Sequence, residues 1–242
     1  MRSLGRVDLS AYLRGFVLLA RHPQIALAPL LAAVFRVLLY KILPGSSDQG
    51  LLGAANSGLA GLIAQLVQGF GFSVALIVAE SAWRRGRAPF DDAWDEARAK
   101  LGGILFATIG FSFIIYVASL VGSVLGFIGS AAMMLIALFF FIYALPAAAI
   151  GGIPGSASLQ ASLERAQRAP LATGLVTILF VFSFFAPSLI VAPLLPVLLS
   201  VQSAYAGSIV SIVTAVAEAL ILGYVATVLA KMYDDASYGR FR

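Results

Sequence analysis

The 242-residue chain contains no cysteine and a single histidine, His22. Without cysteine it has no disulfides, no thiolate metal ligands and no cysteine nucleophile. One imidazole cannot supply a haem or zinc centre that is held by several histidines. The chain also lacks a phosphate-binding glycine loop, a nucleophile elbow and a two-histidine metal motif. We therefore expect a protein that is not an enzyme and that binds no cofactor or metal.

Charged residues are scarce as well. They make up 11% of the chain, against about 25% in soluble proteins, whereas 61% of the residues are hydrophobic. A soluble core of this size cannot hide so much apolar surface, and the apolar runs are continuous rather than alternating, which argues against a membrane β-barrel. The composition predicts an all-α, polytopic membrane helical bundle, with residues 1–242 forming one integral membrane domain. Because Arg14, Arg21 and Arg36 interrupt the first apolar run and no small-residue cleavage site follows it, we expect no signal peptide.

Six apolar stretches are long enough to cross a bilayer core of about 30 Å, which needs about 20 helical residues. They are predicted at about 24–43, 58–82, 102–121, 126–146, 171–194 and 206–230. Residues 44–57, which include several glycine, serine and other polar residues, are predicted as a loop. Gly122, Ser123 and Gly126 are interpreted as a tight turn between two spans, although Gly122, Gly126 and Ser130 also fit a helix-packing motif.

Three shorter amphipathic helices are predicted at the membrane interface, each too short or too charged to span. They cover residues 8–21, with Asp8 as the N-cap, residues from Phe90 to Leu101, and residues 158–168. Their spacing suggests a threefold pseudo-repeat, in which an interfacial helix precedes each two-span hairpin. The alternative is that any short helix entering a membrane is amphipathic. The matched positions are Phe90, Ala93, Trp94 and Ala97 with Leu159, Ser162, Leu163 and Ala166, and more weakly Leu9, Tyr12, Leu13 and Phe16.

Positive charge is concentrated in four regions. All but two of the 16 Lys and Arg residues lie in the N-terminal arm, the charged loop 83–101, the helix 158–168 or the tail from Lys231, which is predicted to be water-soluble. With six spans these regions share a side, and the positive-inside rule makes that side the cytoplasm. We expect the plasma (cytoplasmic) membrane, both termini in the cytoplasm, residue 48 outside, and no nucleic-acid partner. The basic residues predicted at the interface are Arg84, Arg85, Arg87, Arg98, Lys100, Arg165 and Arg168.

Three polar residues on three different spans share a depth in the membrane. At 1.5 Å per residue, Arg36 and Glu218 each lie about 18 Å from the cytoplasmic ends of their helices, and Gln68 lies about 21 Å away. An unpaired charge at mid-bilayer costs at least about 2.5–3.5 kcal/mol on insertion scales. We therefore predict that Arg36 pairs with Glu218, with Gln68 nearby. Two interpretations stay open: a clamp that fixes helix packing, or a site for the passage of substrate or protons.

Other polar residues have structural explanations beside the functional ones. Glu80 is expected to pair with Arg84, four residues on. His22 precedes a proline and is expected to cap a helix or contact headgroups rather than bind metal. The acidic residues after Phe90 suit a helix N-terminus as well as a cation site. Five hydroxyl side chains either line the cavity of Arg36 or bond to their own backbone; they are Ser112, Tyr116, Ser119, Tyr143 and Ser183.

Short motifs punctuate the predicted spans: Leu19-Ala20-Arg21-His22-Pro23, Arg85-Gly86-Arg87-Ala88-Pro89-Phe90, Leu145-Pro146, Ala161–Arg168, and a tail with Met232-Tyr233 and Arg240. In these motifs the chain resembles a broad set of bacterial and archaeal six-span membrane proteins of largely unassigned function. The set includes the membrane domain found beside glycerophosphoryl diester phosphodiesterase catalytic domains. The resemblance implies six spans. It does not imply phosphodiesterase activity, because the metal ligands for that reaction belong to a separate soluble domain, which these 242 residues do not contain.

Charge-poor outer loops and few intramembrane polar groups favour a non-catalytic accessory or scaffold subunit. Its partners would be the lipid bilayer and another membrane protein or a second copy of the chain. The alternative is a small-solute or lipid transporter with Arg36, Glu218 and Gln68 at its centre. A membrane-embedded enzyme acting on lipid is least favoured, because no set of nucleophile, base and metal ligands is present.

Overall fold

Long apolar helices alternate with short amphipathic helices along the chain. The structure, a computed structural model, describes residues 9–43, 50–194, 196 and 206–238. In chain order the helices are α1 (Ser10–Arg21), α2 (Leu27–Ile42), α3 (Gly50–Arg85), α4 (Phe90–Ala99), α5 (Leu101–Ser123), α6 (Gly126–Phe141), α7 (Ala144–Ala149), α8 (Ser156–Arg168), α9 (Pro170–Val191) and α10 (Ala206–Tyr238). Turns of 3₁₀ helix cover Pro23–Ala26 and Ala192–Leu194.

Six helical segments within these described ranges are long and apolar enough to cross a membrane. They confirm the predicted all-α, six-span bundle, and the chain is an integral membrane protein by the length and composition of its helices. The segments are Pro23–Ile42, Gly58–Arg85, Leu101–Ser123, Gly126–Ala149, Pro170–Val191 and Ile209–Ser237.

The loop predicted at residues 44–57 is wrong in its second part. α3 begins at Gly50, so residues 50–57 are helical, whereas residues 44–49 lie outside the described residues, as does the predicted N-cap Asp8. Leucine and alanine are good helix formers, they recur between residues 50 and 57, and no proline interrupts them. The helix therefore propagates outward from its packed part, and its 36 residues extend over about 54 Å at 1.5 Å per residue.

The C-terminal segment is not the water-soluble tail that its charges predicted. α10 runs without a break to Tyr238, and the side chains of residues 232–236 are buried. Lys231 Nζ donates to Asp235 Oδ1 at 2.6 Å, one helical turn on, so two of the charges are paired within the helix. Hydropathy does not predict that this segment is buried, because the partners of its remaining polar groups lie far away in the sequence.

The three amphipathic helices α1, α4 and α8 lie at one end of the bundle, which we call the basic end; the opposite end is the far end. Gly15 of α1 packs on Thr227 of α10. Arg165 of α8 donates to Ser237 near the end of α10, at 3.1 Å. The core is concentrated at this end, because the largest fully buried side chains belong to helix segments close to it. They include Tyr143, Ile25, Leu76, Ile104, Leu229 and Met232.

Two of the matched apolar positions in α1, Leu13 and Phe16, point outward. Leu13 and Phe16 are 76% and 66% exposed, whereas Ala11 and Gly15 are buried. Small residues let α1 approach α10 closely, since a Cβ added to Gly15 would lie 3.0 Å from Thr227 Oγ1. The large apolar side chains are left to face the membrane interface, as in monotopic helices.

The other two copies of the proposed repeat agree with each other. Ala93 and Ala97 of α4 are buried, and so are the matched Ser162 and Ala166 of α8. Leu101, the predicted end of the second interfacial helix, belongs instead to α5 and is 41% exposed. The burial pattern therefore supports a match between α4 and α8, and α1 departs from it.

Glycines shape the hairpin of α5 and α6. Gly126 has a positive φ of 77°, which confirms the predicted turn, because a residue with a Cβ is strained there. α5 and α6 also pack closely at this crossing, as the helix-packing alternative supposes. The residues that pack are Gly122 and Gly129, however, and their backbones leave no room for a Cβ at either position. The Ser119 and Ser130 hydroxyls share a hydrogen bond of 2.7 Å across the same crossing.

Cysteines introduced at the two ends should be labelled from opposite sides of the membrane. The chain has no native cysteine, so Arg87→Cys at the basic end and Ser123→Cys at the far end each give an unambiguous signal. We expect an impermeant maleimide added to intact cells to label position 123, and position 87 only after permeabilisation, because basic loops stay in the cytoplasm. Labelling of both positions from one side would contradict the six-span topology, and the reversed pattern would contradict the predicted orientation.

Candidate intramembrane polar site

Three polar side chains meet between α2, α3 and α10 within the membrane-spanning segments. Arg36 donates from Nη1 to Glu218 Oε1 at 2.8 Å and from Nη2 to Glu218 Oε2. Gln68 donates from Nε2 to the same Oε1 at 2.6 Å. Both carboxylate oxygens therefore accept hydrogen bonds, and we call these three residues the polar triad. The structure brings together the side chains whose shared depth predicted the pair.

Small residues let the three helices approach closely enough for the polar triad to form. Gly71 of α3 lies against α2, where an added Cβ would be 2.9 Å from the carbonyl oxygen of Ala28. Gly223 of α10 lies against Ala26, which is 3.2 Å from the position of an added Cβ. Lipid is as apolar as leucine, so close packing of small residues, rather than the hydrophobic effect, holds membrane helices together.

The polar triad is partly shielded and carries no net charge. The side chain of Arg36 is 28% exposed and that of Glu218 is 14% exposed. Pairing avoids the cost of placing two separate charges in an apolar region. A guanidinium has five N–H donors, of which Arg36 uses two on Glu218. The arrangement can therefore clamp three helices. The guanidinium can also donate hydrogen bonds to another anion in place of Glu218.

The hydroxyl residues considered with Arg36 do not join the polar triad. Ser112 donates to the carbonyl of Thr108 at 2.8 Å and accepts a hydrogen bond from Gln65, a residue that sequence reasoning missed. Ser183 donates to the carbonyl of Phe180 at 2.5 Å, so the back-bonding explanation is confirmed for both serines. The other three are Ser119 in the α5–α6 hairpin, Tyr143 in the core and Tyr116, which is exposed.

Arg84 links α3 to the end of α10. Its Nη1 lies 2.9 Å from Glu80 Oε1, which confirms the predicted pair, and its Nη2 donates to Asp234 Oδ1 at 2.5 Å. Asp234 is buried, and a buried carboxylate is tolerated where an arginine pairs with it. Sequence reasoning missed this contact because residue 234 was assigned to a water-soluble tail.

Two further residues of the predicted basic interface also bond inward. Lys100 Nζ donates to the carbonyl of Ala149 at 2.7 Å, which connects the start of α5 to α7. Arg165 donates to Ser237 and lies over the ring of Tyr233, with Cζ 4.5 Å from the ring centroid. Such a cation–π contact adds to the hydrogen bond in holding α8 against α10.

The remaining basic residues of the predicted interface stay at the surface. Arg85 and Arg87 flank Gly86, whose positive φ of 64° ends α3 in a tight turn. Arg98 and Arg168 pair with acidic residues one turn earlier, at 3.9 and 3.5 Å. Exposed pairs of this kind contribute little stability. Contact of these four arginines with lipid headgroups remains a prediction.

The other candidate ligands occupy structural positions. The backbone N–H of His22 donates to the carbonyl of Leu18 at 2.9 Å at the C-terminus of α1, as expected of a capping residue. Asp91 and Asp92 lie in the first turn of α4, where a helix N-terminus stabilises carboxylates. Among the residues that the structure describes, no group of three or more His, Cys, Asp or Glu could hold a metal ion.

Tyr12 of α1 has a buried hydroxyl that no sequence signal indicated. In the described part of the chain, this hydroxyl has no hydrogen-bond partner. Burial, followed by the neighbouring Tyr143 and Tyr224, raises the pKa of Tyr12, so its phenol stays neutral. The Tyr224 hydroxyl donates to the backbone carbonyl of Tyr12 at 3.2 Å, which ties α1 to α10.

No family model, curated protein or solved structure matches this chain. The resemblance to six-span membrane proteins of largely unassigned function stays a prediction.

Proposed function

We propose that the chain is a non-catalytic accessory or scaffold subunit, which packs against another membrane protein through the far end of the α5–α6 hairpin. The observation that carries this proposal is the exposure of four large apolar side chains at the turn of that hairpin. Val124, Leu125, Phe127 and Ile128 are exposed by 86, 80, 88 and 81%.

The turn lies where connecting segments are usually polar. The 23 residues of α5 rise about 34 Å, more than the roughly 30 Å of the hydrocarbon core, which places the turn at the far boundary of the membrane. Residues 124–128 have no side chain that is charged or that forms hydrogen bonds. Contiguous exposed apolar surface marks protein–protein or membrane interaction sites, and in this proposal a neighbouring membrane protein covers this one.

The limited contact between the far part of the hairpin and the rest of the chain also supports the accessory-subunit proposal. Near the basic end, Ile104 and Ala107 of α5 are buried. Over the most apolar 18-residue stretch of α5, however, only 17% of the residues are buried, whereas 56% are buried over the corresponding stretch of α3. The far half of α5 and α6 therefore presents most of its surface outward. A scaffold subunit needs such a surface, whereas an enzyme needs a set of reactive groups.

A second candidate function, transport of a small solute or lipid, is favoured by the polar triad. Its three members come from three helices, and Arg36 remains 28% exposed within the spanning region. Ionisable residues inside a membrane mark substrate or ion pathways by default. Gln68 adds a neutral donor that fixes the orientation of Glu218.

Photo-crosslinking from the hairpin turn tests the first proposal. A photoreactive amino acid is placed at Phe127, and in a matched control at Phe106, which is on the same hairpin near the basic end and is 49% exposed. We expect position 127 to give one discrete protein adduct in stoichiometric amount, and position 106 to give lipid adducts. Mass spectrometry identifies the partner, or shows a second copy of this chain.

The variant Phe127→Asn separates a specific contact from chance proximity. With the photoreactive group moved to Ile128, this substitution should abolish the protein adduct while the chain stays folded in the membrane, because a buried amide without partners is costly. If both positions give only lipid adducts in the unsubstituted background, the accessory-subunit proposal is wrong. That outcome would leave the polar triad and the transport candidate untouched.

A further inference from the structure

We infer that Arg36 is the binding site of an anion that presents two neighbouring oxygens, a carboxylate or a phosphate group, and that Glu218 occupies this site until it takes up a proton. The inference deepens the second candidate function by naming its ligand class. It requires only that an anion binds, so it can be tested separately from transport and from the partner of the hairpin.

The polar triad has the geometry of an anion site that is already filled. Arg36 holds both oxygens of Glu218 through two N–H groups, and Gln68 adds a third donor to Oε1. The planar fork of a guanidinium matches carboxylates and phosphates equally well. Any external anion of this shape meets the same three donors that Glu218 meets now.

Ionised Glu218 excludes such an anion. A second negative group on one guanidinium would leave an uncompensated charge in an apolar region, where charges are costly. When Glu218 accepts a proton on one of its oxygens, its hold on Arg36 weakens and two N–H donors become available. One proton is then bound for each anion, and no covalent bond of the protein changes.

Among the residues that the structure describes, few other titratable groups belong to the helices around Glu218. α2 carries Tyr40 one turn beyond Arg36 and Lys41 five residues beyond it. α3 faces Glu218 with the uncharged Gln68, and α9, which packs on α10, has no ionisable residue. The contacts of α1 and α8 with α10, at Thr227 and Ser237, lie toward the basic end. Within the described part of the chain, Glu218 is therefore the acidic group that binds Arg36.

The site is reachable on the arginine side, because Arg36 is twice as exposed as Glu218, 28% against 14%. An exposed guanidinium in the spanning region meets either a lipid headgroup drawn into the membrane or a free anion from water. Both sources offer the same chemistry, and the experiment separates them by using one probe for each.

The test compares wild type, Glu218→Gln and Arg36→Gln/Glu218→Gln in nanodiscs, with monodispersity checked by gel filtration. Sulfate is the soluble probe, because its charge is constant between pH 5 and 8; phosphatidylglycerol retained in native mass spectrometry is the lipid probe. For wild type we expect sulfate affinity to fall about tenfold per pH unit where Glu218 is ionised, since the competent fraction falls tenfold. Glu218→Gln should bind at least about tenfold more tightly than wild type at pH 8, without a pH slope. The double variant should bind neither probe.

Each result decides the inference. Sulfate binding with this pattern supports a free anion as ligand, and phosphatidylglycerol retention by Glu218→Gln alone supports a lipid headgroup. If Glu218→Gln binds no more of either probe than the double variant, Arg36 is not an anion site and the inference is overturned. A pH slope that persists in Glu218→Gln would also overturn it, because another group would then be titrating.

Discussion

The double variant Arg36→Gln/Glu218→Gln should be about as stable as the wild type, whereas each single variant should lose about 3 kcal/mol of unfolding free energy. Removing one partner leaves the other charge uncompensated within the spanning region. Removing both leaves two neutral amides, so no uncompensated charge remains between the helices. The measurement is reversible unfolding of the purified protein in mixed micelles, followed by tryptophan fluorescence.

A double-mutant cycle gives the coupling energy between the two positions. The matched control is the exposed pair of Arg98 and Asp95, whose atoms are 3.9 Å apart and whose side chains are 69% and 78% exposed. Arg98→Gln and Asp95→Asn should each change the free energy of unfolding by less than about 0.5 kcal/mol. The two changes should be additive in the double variant. If the effects of the Arg36 and Glu218 variants also simply add, the pair contributes nothing to stability.

Gly71→Leu should destabilise the bundle by about 3 kcal/mol, the upper part of the range for overpacked sites. A Cβ at position 71 would lie 2.9 Å from the carbonyl oxygen of Ala28 and 3.0 Å from Ala32 Cβ. Backbone atoms cannot rotate away, so α2 and α3 must separate, and the donors on Arg36 and Gln68 would move apart. We expect a lower midpoint in thermal unfolding of the detergent-solubilised protein and a lower yield of monodisperse material.

Gly58→Leu on the same helix is the control for this substitution. No atom lies within 4 Å of a Cβ added at Gly58, so a leucine there gains helix propensity without a clash. Its unfolding midpoint should equal or exceed that of the wild type. If leucine lowers the unfolding midpoint equally at positions 71 and 58, the destabilisation comes from the substitution within α3 and not from the contact of α3 with α2.

Combining Gly71→Leu with the Arg36 and Glu218 substitutions also tests how the polar triad is positioned. If Gly71→Leu lowers the coupling between Arg36 and Glu218, then the close approach of α2 and α3 is what aligns the donors with the carboxylate. Glu218→Gln in that background should then cost less than it does in the wild type. An unchanged coupling energy would assign the alignment to Gly223 and Ala26 instead.

Much of the architecture could be predicted because it depends on local properties. Hydropathy and length placed six spans, and the breaks at Gly86 and Gly126 followed from glycines that have positive φ in the structure. The depth of a residue follows from its count along a helix, so the meeting of Arg36, Glu218 and Gln68 was also predictable. An intramembrane charge needs a partner, and few candidates were available at that depth.

Other features depend on the directions in which side chains leave different helices, and only the tertiary structure decides those. The outward face of α1 and the burial of Asp234 against Arg84 are of this kind, and so is the Tyr12 hydroxyl, which has no hydrogen-bond partner among the described residues. A sequence indicates that residues 231–237 are polar enough for water. Whether they instead pack at the basic end depends on where α3 and α8 present their arginines. Hydropathy and depth are properties of one helix, whereas pairing depends on the rotation and crossing of two.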